Sequence, residues 1–128
     1  MSISPLPPDL ERDRDDERSS IEFRFDDPGY AATVVLCAEH DLATSEGVRV
    51  ALAPLCGNVL VDLTRCSFID STVIGMLIGK ARDLRRDGYA LELRVSSDPA
   101  STVARTLALV GIDAVMPVHL EAPSSQEG

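Results

Sequence analysis

Tryptophan is missing from this 128-residue chain, aromatic residues make up only 4% of it, and Lys80 is its one lysine. Histidine is almost as scarce, with His40 and His119 alone, which excludes a metal site built from several imidazoles. The three cysteines, Cys37, Cys56 and Cys66, are odd in number and form no C-x-x-C pair. That pattern excludes a disulfide framework and a thiolate metal cage, and it suits a reducing, cytoplasmic compartment. Cys37 lies in the apolar run ATVVLCA, where a free thiol behaves as a small buried hydrophobe. No apolar run approaches the roughly 20 residues that span a bilayer. The N-terminus lacks the basic-then-apolar order of a signal peptide. Positive charge is also short: 21 acidic residues stand against 12 basic ones, a formal net charge of -9. Such a balance argues against nucleic acid as a partner and against docking on anionic membrane.

What is present suits one soluble domain, with 45% hydrophobic and 26% charged residues. Residues 1–19 read as an acidic, proline-bearing tail: prolines lie at 5, 7 and 8, and DLERDRDDERSS comes next without apolar periodicity. Residues 121–128 (EAPSSQEG) read as a second loose end, leaving a folded unit over 20–120.

Within that unit the periodicity alternates between 2 and 3.6. Ile21, Phe23 and Phe25 alternate with polar residues, as in a half-buried strand, and Asp26-Asp27-Pro28-Gly29 supplies a turn into the apolar strand 31–38. Thr44 and Ser45 are candidate caps of a helix carrying Val48, Leu52 and Leu55, limited by Pro54 and Gly57. Val59 to Leu63 reads as a buried strand. A longer helix comes after it, with Val73, Leu77 and Leu84 on one stripe, Ile74, Ile78 and Ala81 beside it, and Lys80, Arg82, Asp83, Arg85 and Arg86 outside. Gly75 and Gly79 on this helix suggest close helix–sheet packing. Gly88 ends it. Ala90 to Val95 is the next strand. Asp98-Pro99 starts a helix lined by Val103, Leu107 and Val110, and 115–120 forms a short last strand. The order β-β-α-β-α-β-α-(β) predicts an α/β fold: a small mixed sheet, opened by a β-hairpin and continued by β/α crossovers, covered largely on one face by helices.

The stretch FIDSTVIG, residues 68–75, joins a strand to the long helix. Asp70, Ser71 and Thr72 there have two readings. They cap the helix, as these residue types commonly do. Alternatively, Ser71 is a site of reversible phosphorylation, where a phosphate adds about −1.5 to −2 charge at a helix N-terminus.

SFIDSTVIGMLIGKARDLRRDG resembles the signature of the STAS domain, specifically of the bacterial anti-sigma factor antagonists: a strand, F-[IM]-D-S-S-G-L-G, then a helix. AEHDLATSEGVRVAL is similar to that family's second signature, G-E-[LI]-D and a helix. The resemblance covers roughly Ile21 to Leu120. It implies that Ser71 is the phosphoacceptor, with Thr72 a minor candidate, and that Asp41, Asp70, Ser71, Thr72 and Val73 meet a partner. Thr72 and Val73 replace the family's second serine and glycine. Ala38 replaces a glycine, and His40, expected at the surface, replaces an apolar residue.

The resemblance implies a non-enzymatic anti-sigma factor antagonist. Unphosphorylated, it binds an anti-sigma factor that is also a serine kinase; phosphorylated, it lets go, and a serine phosphatase restores it. ATP and magnesium belong to the kinase, so the chain itself needs no cofactor and no metal. The alternative is a STAS interaction subunit of a larger assembly, either a stress-signalling scaffold or a lipid-transport accessory. An enzyme is disfavoured because no G-x-S-x-G elbow surrounds Ser71. A phosphorelay receiver needs a lysine on a late strand, and Lys80 falls in a helix.

Overall fold

The structure is a computed structural model and describes residues 19–122. Most of the two expected tails lies outside the described residues, but Ser19 and Glu121 are strand residues, so the strands reach one residue past 20–120 at each end. Strand β1 (Ser19–Arg24) and strand β2 (Ala32–His40) form the hairpin. A single 3-10 turn (Leu42–Thr44) leads into α1 (Ser45–Leu52). Then come β3 (Val59–Asp62), β4 (Cys66–Ile69), α2 (Ser71–Arg86), β5 (Leu91–Ser96) and α3 (Thr102–Leu109). A second 3-10 turn (Ile112–Ala114) precedes β6 (Val118–Glu121).

The six strands make one mixed sheet in the order β1-β2-β3-β5-β6. Only the β1–β2 pairing is antiparallel; β2–β3, β3–β5 and β5–β6 are parallel, as helical crossovers require. Strand β4 has no counterpart in the expected order. It lies parallel to the last part of β2, Ala38 against Cys66 and His40 against Ile69, while β3 pairs with the first part, Ala32 to Val35. Two short strands therefore share one flank of β2. Asp62 makes the break between them: its Oδ1 accepts from the Thr64 N–H at 2.9 Å and the Thr64 hydroxyl at 2.6 Å, and so turns the chain.

The register slips between Ala38 and Glu39, where Ala38 takes a left-handed φ of 65°. An L-residue with a Cβ is disfavoured there, which accounts physically for glycine at this position in the motif the chain resembles.

One face of the sheet carries the core. Val34, Leu36, Val59, Val61, Leu91, Leu93 and Val95 meet Val48 and Leu52 of α1, Val73, Ile74, Leu77, Ala81 and Leu84 of α2, and Val103 and Leu107 of α3. At roughly 1.5–3 kcal/mol for each large side chain removed from water, this layer is the main source of stability. The other face holds a charged network. Buried Asp62 accepts from Arg24 at 3.3 Å and Arg94 at 3.1 Å, and Glu92 accepts from the Tyr30 hydroxyl at 2.6 Å and His119 Nε2 at 2.8 Å.

Several local expectations are corrected. Phe23 and Phe25 are exposed and stack on each other, lining an open apolar groove shared with Val50 and Ala51 of α1. The α3 helix begins at Thr102 with Ser101 as its cap; Asp98-Pro99 forms a preceding turn, in which Asp98 accepts from the Ala100 N–H. Val110 lies past the end of α3 and is exposed. Gly75 and Gly79 are not packing contacts, since a Cβ on either would meet nothing within 4 Å.

Candidate functional site

The register His40↔Ile69 places the next residues, Asp41 and Asp70, next to each other at the C-terminal ends of two parallel strands. Strand spacing puts their backbones roughly 5 Å apart. In open α/β sheets this end is where loops and helix starts converge to bind. A bond from the Asp70 N–H to the His40 carbonyl, 2.9 Å, ties the two loops together.

Each aspartate caps the helical segment after it. Asp70 is the N-cap of α2, and its Oδ1 accepts from the Thr72 N–H at 2.7 Å. Asp41, not Thr44 or Ser45, caps the other segment. Its Oδ1 accepts from the Thr44 N–H at 3.3 Å, and the Thr44 hydroxyl accepts from the Asp41 N–H at 3.1 Å, a reciprocal capping box. Thr44 precedes α1 without any side-chain cap bond.

Ser71 is the first residue of α2 and is exposed. Because Asp70 holds the cap, the Ser71 hydroxyl is not needed for it and makes no hydrogen bond among the described residues. Thr72, also exposed, gives its N–H to Asp70. Val73 differs from the other four residues expected to meet a partner: its side chain is fully buried in the core. Exposed Leu42, next to Asp41, and Phe68, two residues before Asp70, add apolar surface near the caps. Sequence reasoning passed over both, although an apolar residue adjoining a charged motif is the signal that marks them.

His40 is buried, not superficial. Of the thiols, Cys37 and Cys66 are buried and Cys56 is exposed; burial pushes the Cys66 thiol up to about 11. Among the described residues, no helix is long and apolar enough to cross a membrane.

The STAS domain family model matches residues 14–124, and the chain belongs to that family. No curated protein compared with the chain matches it in sequence. The fold is similar to solved structures. One is an anti-sigma factor antagonist from Mycobacterium paratuberculosis: 18% identity, TM-score 0.68, covering 80% of this chain and 86% of that one. Another is the anti-sigma factor antagonist SpoIIAA in its unphosphorylated form: 18% identity, TM-score 0.57, covering 84% and 94%. The Bacillus cell fate determinant SpoIIAA in its phosphorylated form is similar at 16% identity and TM-score 0.54, covering 84% and 96%. At these identities the likeness concerns the fold.

Proposed function

We propose that the chain is an anti-sigma factor antagonist, a non-catalytic switch that binds an anti-sigma factor with serine kinase activity and is released when Ser71 is phosphorylated. The observation that carries this reading is the position of Ser71: exposed, without a hydrogen bond among the described residues, and directly after the Asp70 cap beside Asp41. The similar structures of SpoIIAA in unphosphorylated and phosphorylated forms support it.

The physics lies in where the charge goes. A phosphate at the first residue of a helix meets free backbone amides and leaves the fold intact. To a partner it adds about two negative charges on a surface that already holds Asp41 and Asp70. Against an acidic or apolar partner surface, that added charge opposes association through repulsion and desolvation. A serine phosphatase reverses the change. ATP and its magnesium are the kinase's, and the setting is the cytoplasm.

The test is affinity purification of wild type beside Ser71→Ala and Ser71→Asp, then incubation of the captured kinase with ATP and peptide mapping. Ser71→Ala retains the kinase, Ser71→Asp retains less, and phosphate maps to Ser71. Capture of a large assembly that ignores both substitutions would replace the switch with a scaffold role. Phosphate chiefly on Thr72 would move the acceptor.

A further inference from the structure

Strand β2 ends on His40, a side chain 1% exposed at a position where the resembled motif carries an apolar residue. A buried imidazole is costly unless both ring nitrogens find partners. Both do. Nε2 lies 3.1 Å from the Ser20 carbonyl of β1. A carbonyl only accepts, so Nε2 carries the hydrogen, and in the neutral ring Nδ1 is bare. Nδ1 lies 3.2 Å from the Thr44 hydroxyl, which must then donate to it. The same hydroxyl accepts the Asp41 N–H, one half of the Asp41 capping box. On the backbone side, the His40 carbonyl accepts the Asp70 N–H. One residue thus touches β1, the Asp41 cap and the Asp70 cap.

We propose that His40 is a positioning residue of the acceptor surface: its ring braces the Asp41–Thr44 cap from beneath, its carbonyl holds that cap in register with Asp70 and Ser71, and its protonation is felt at both. The structural half of this stands alone; its bearing on partner binding rests on the function proposed above.

The Thr44 hydroxyl supplies the coupling. When Nδ1 gains a proton it becomes a donor, and the Thr44 O–H must turn away. The Asp41 carbonyl, 3.2 Å from that hydroxyl, is the acceptor in reach. Protonation therefore rewires the cap without leaving a polar atom stranded. Burial, the largest influence, pushes the ring below its usual pKa; the Ser20 and Cys37 carbonyls and the Asp41 carboxylate oppose it. Strand β1 contributes the Ser20 carbonyl, β2 the Cys37 carbonyl and the 3-10 turn Thr44, none of which titrates in this role. Among the described residues, Asp41 is the charged side chain acting on the ring.

The experiment is nitrogen-15 NMR of the full chain from pH 8 downward until the His40 ring has titrated or the fold is lost; a ring that never titrates in the folded state overturns the proposal. Long-range ring correlations are expected to show the Nε2–H tautomer. The amides of Asp41, Thr44, Asp70 and Ser71 are expected to shift with the midpoint of the His40 ring, and His119→Gln to leave that step intact. In His40→Leu the step disappears, and amide exchange at Thr44 and Asp70 rises roughly tenfold. His40→Gln, whose amide can still donate toward Ser20, restores part of the protection but not the titration. Asp70 and Ser71 amides that ignore the ring's titration in folded wild type would overturn the proposal, as would unchanged exchange in His40→Leu. Should His40→Leu fail to fold, the wild-type titration decides by itself. No partner enters these measurements, so their failure is separable from a failure of kinase binding.

Discussion

Asp41 and Asp70 stand side by side at the ends of parallel strands β2 and β4, and each caps the helical turn next in the chain. The arrangement divides labour between Asp70 and Ser71. The carboxylate holds the start of α2, and the neighbouring hydroxyl makes no hydrogen bond among the described residues.

The first prediction comes from that division. Asp70→Ala should cost about 1 kcal/mol, the usual worth of an N-cap. Ser71→Ala should stay within about 0.5 kcal/mol of wild type, as an exposed substitution that breaks no bond. Urea denaturation of both variants decides. Equal losses would mean that the serine caps the helix as well, and that loss of binding by a Ser71 variant could reflect damage to the fold.

A second prediction concerns Ala38, held at φ 65° where the β2 register slips. Ala38→Gly relieves the left-handed strain but frees the unfolded chain, so it should leave stability equal or up to about 1 kcal/mol higher. Ala38→Val, β-branched at the same φ, should lose roughly 1–3 kcal/mol. A Val variant as stable as the Gly variant would show that the backbone does not hold this conformation in solution.

Gly75 and Gly79 lie inside α2 with open space where a Cβ would go. Gly79→Ala should therefore raise stability by roughly 0.5–1 kcal/mol through helix propensity alone. Thermal unfolding checks it. A loss would reveal close packing at this point of the helix.

The fourth prediction is a titration. Tyr30 donates to Glu92, and that bond, with burial and the carboxylate's charge, pushes the phenol up to about 12. In a Tyr89→Phe background Tyr30 is the sole tyrosine, and its ultraviolet ionisation should fall near 12. The folded pKa is raised, so the folded state holds its proton longer than the unfolded chain. The associated stability is complete below about pH 10 and is lost as pH rises toward 12. Ionisation near 10 in the folded protein would mean the Tyr30–Glu92 bond does not form.

The fifth concerns the ends. We propose that a fragment of residues 19–122 unfolds cooperatively, close to the midpoint of the whole chain, because the flanking sequence lacks apolar periodicity. A large loss would show that a flanking segment packs on the domain.

Much of this molecule was written locally. The 3.6-residue repeat of Val73, Leu77 and Leu84 specifies the buried stripe of α2, and the alternation in 91–95 specifies β5. Asp-Ser-Thr ahead of an apolar helix marks the junction whatever the rest of the chain does. Local pattern is enough in these cases because periodicity is a property of consecutive residues.

Only the tertiary structure decided the remainder, because each of these features depends on residues far apart in sequence. Cys66–Ile69 buries its first and last residues, a spacing that also suits a helix; pairing with the end of β2 makes it a strand. Phe23 alternates like Ile21 but stays exposed, because the groove it shares with α1 is open. His40 is polar by type, yet Ser20, twenty residues before it, and Thr44, on the turn after it, satisfy its ring and let it be buried. Asp41 and Asp70 each carry a local capping signal. Their neighbourhood comes from a parallel register between strands separated by a helix and a further strand, since a register is a relation between two segments and is written in neither one alone.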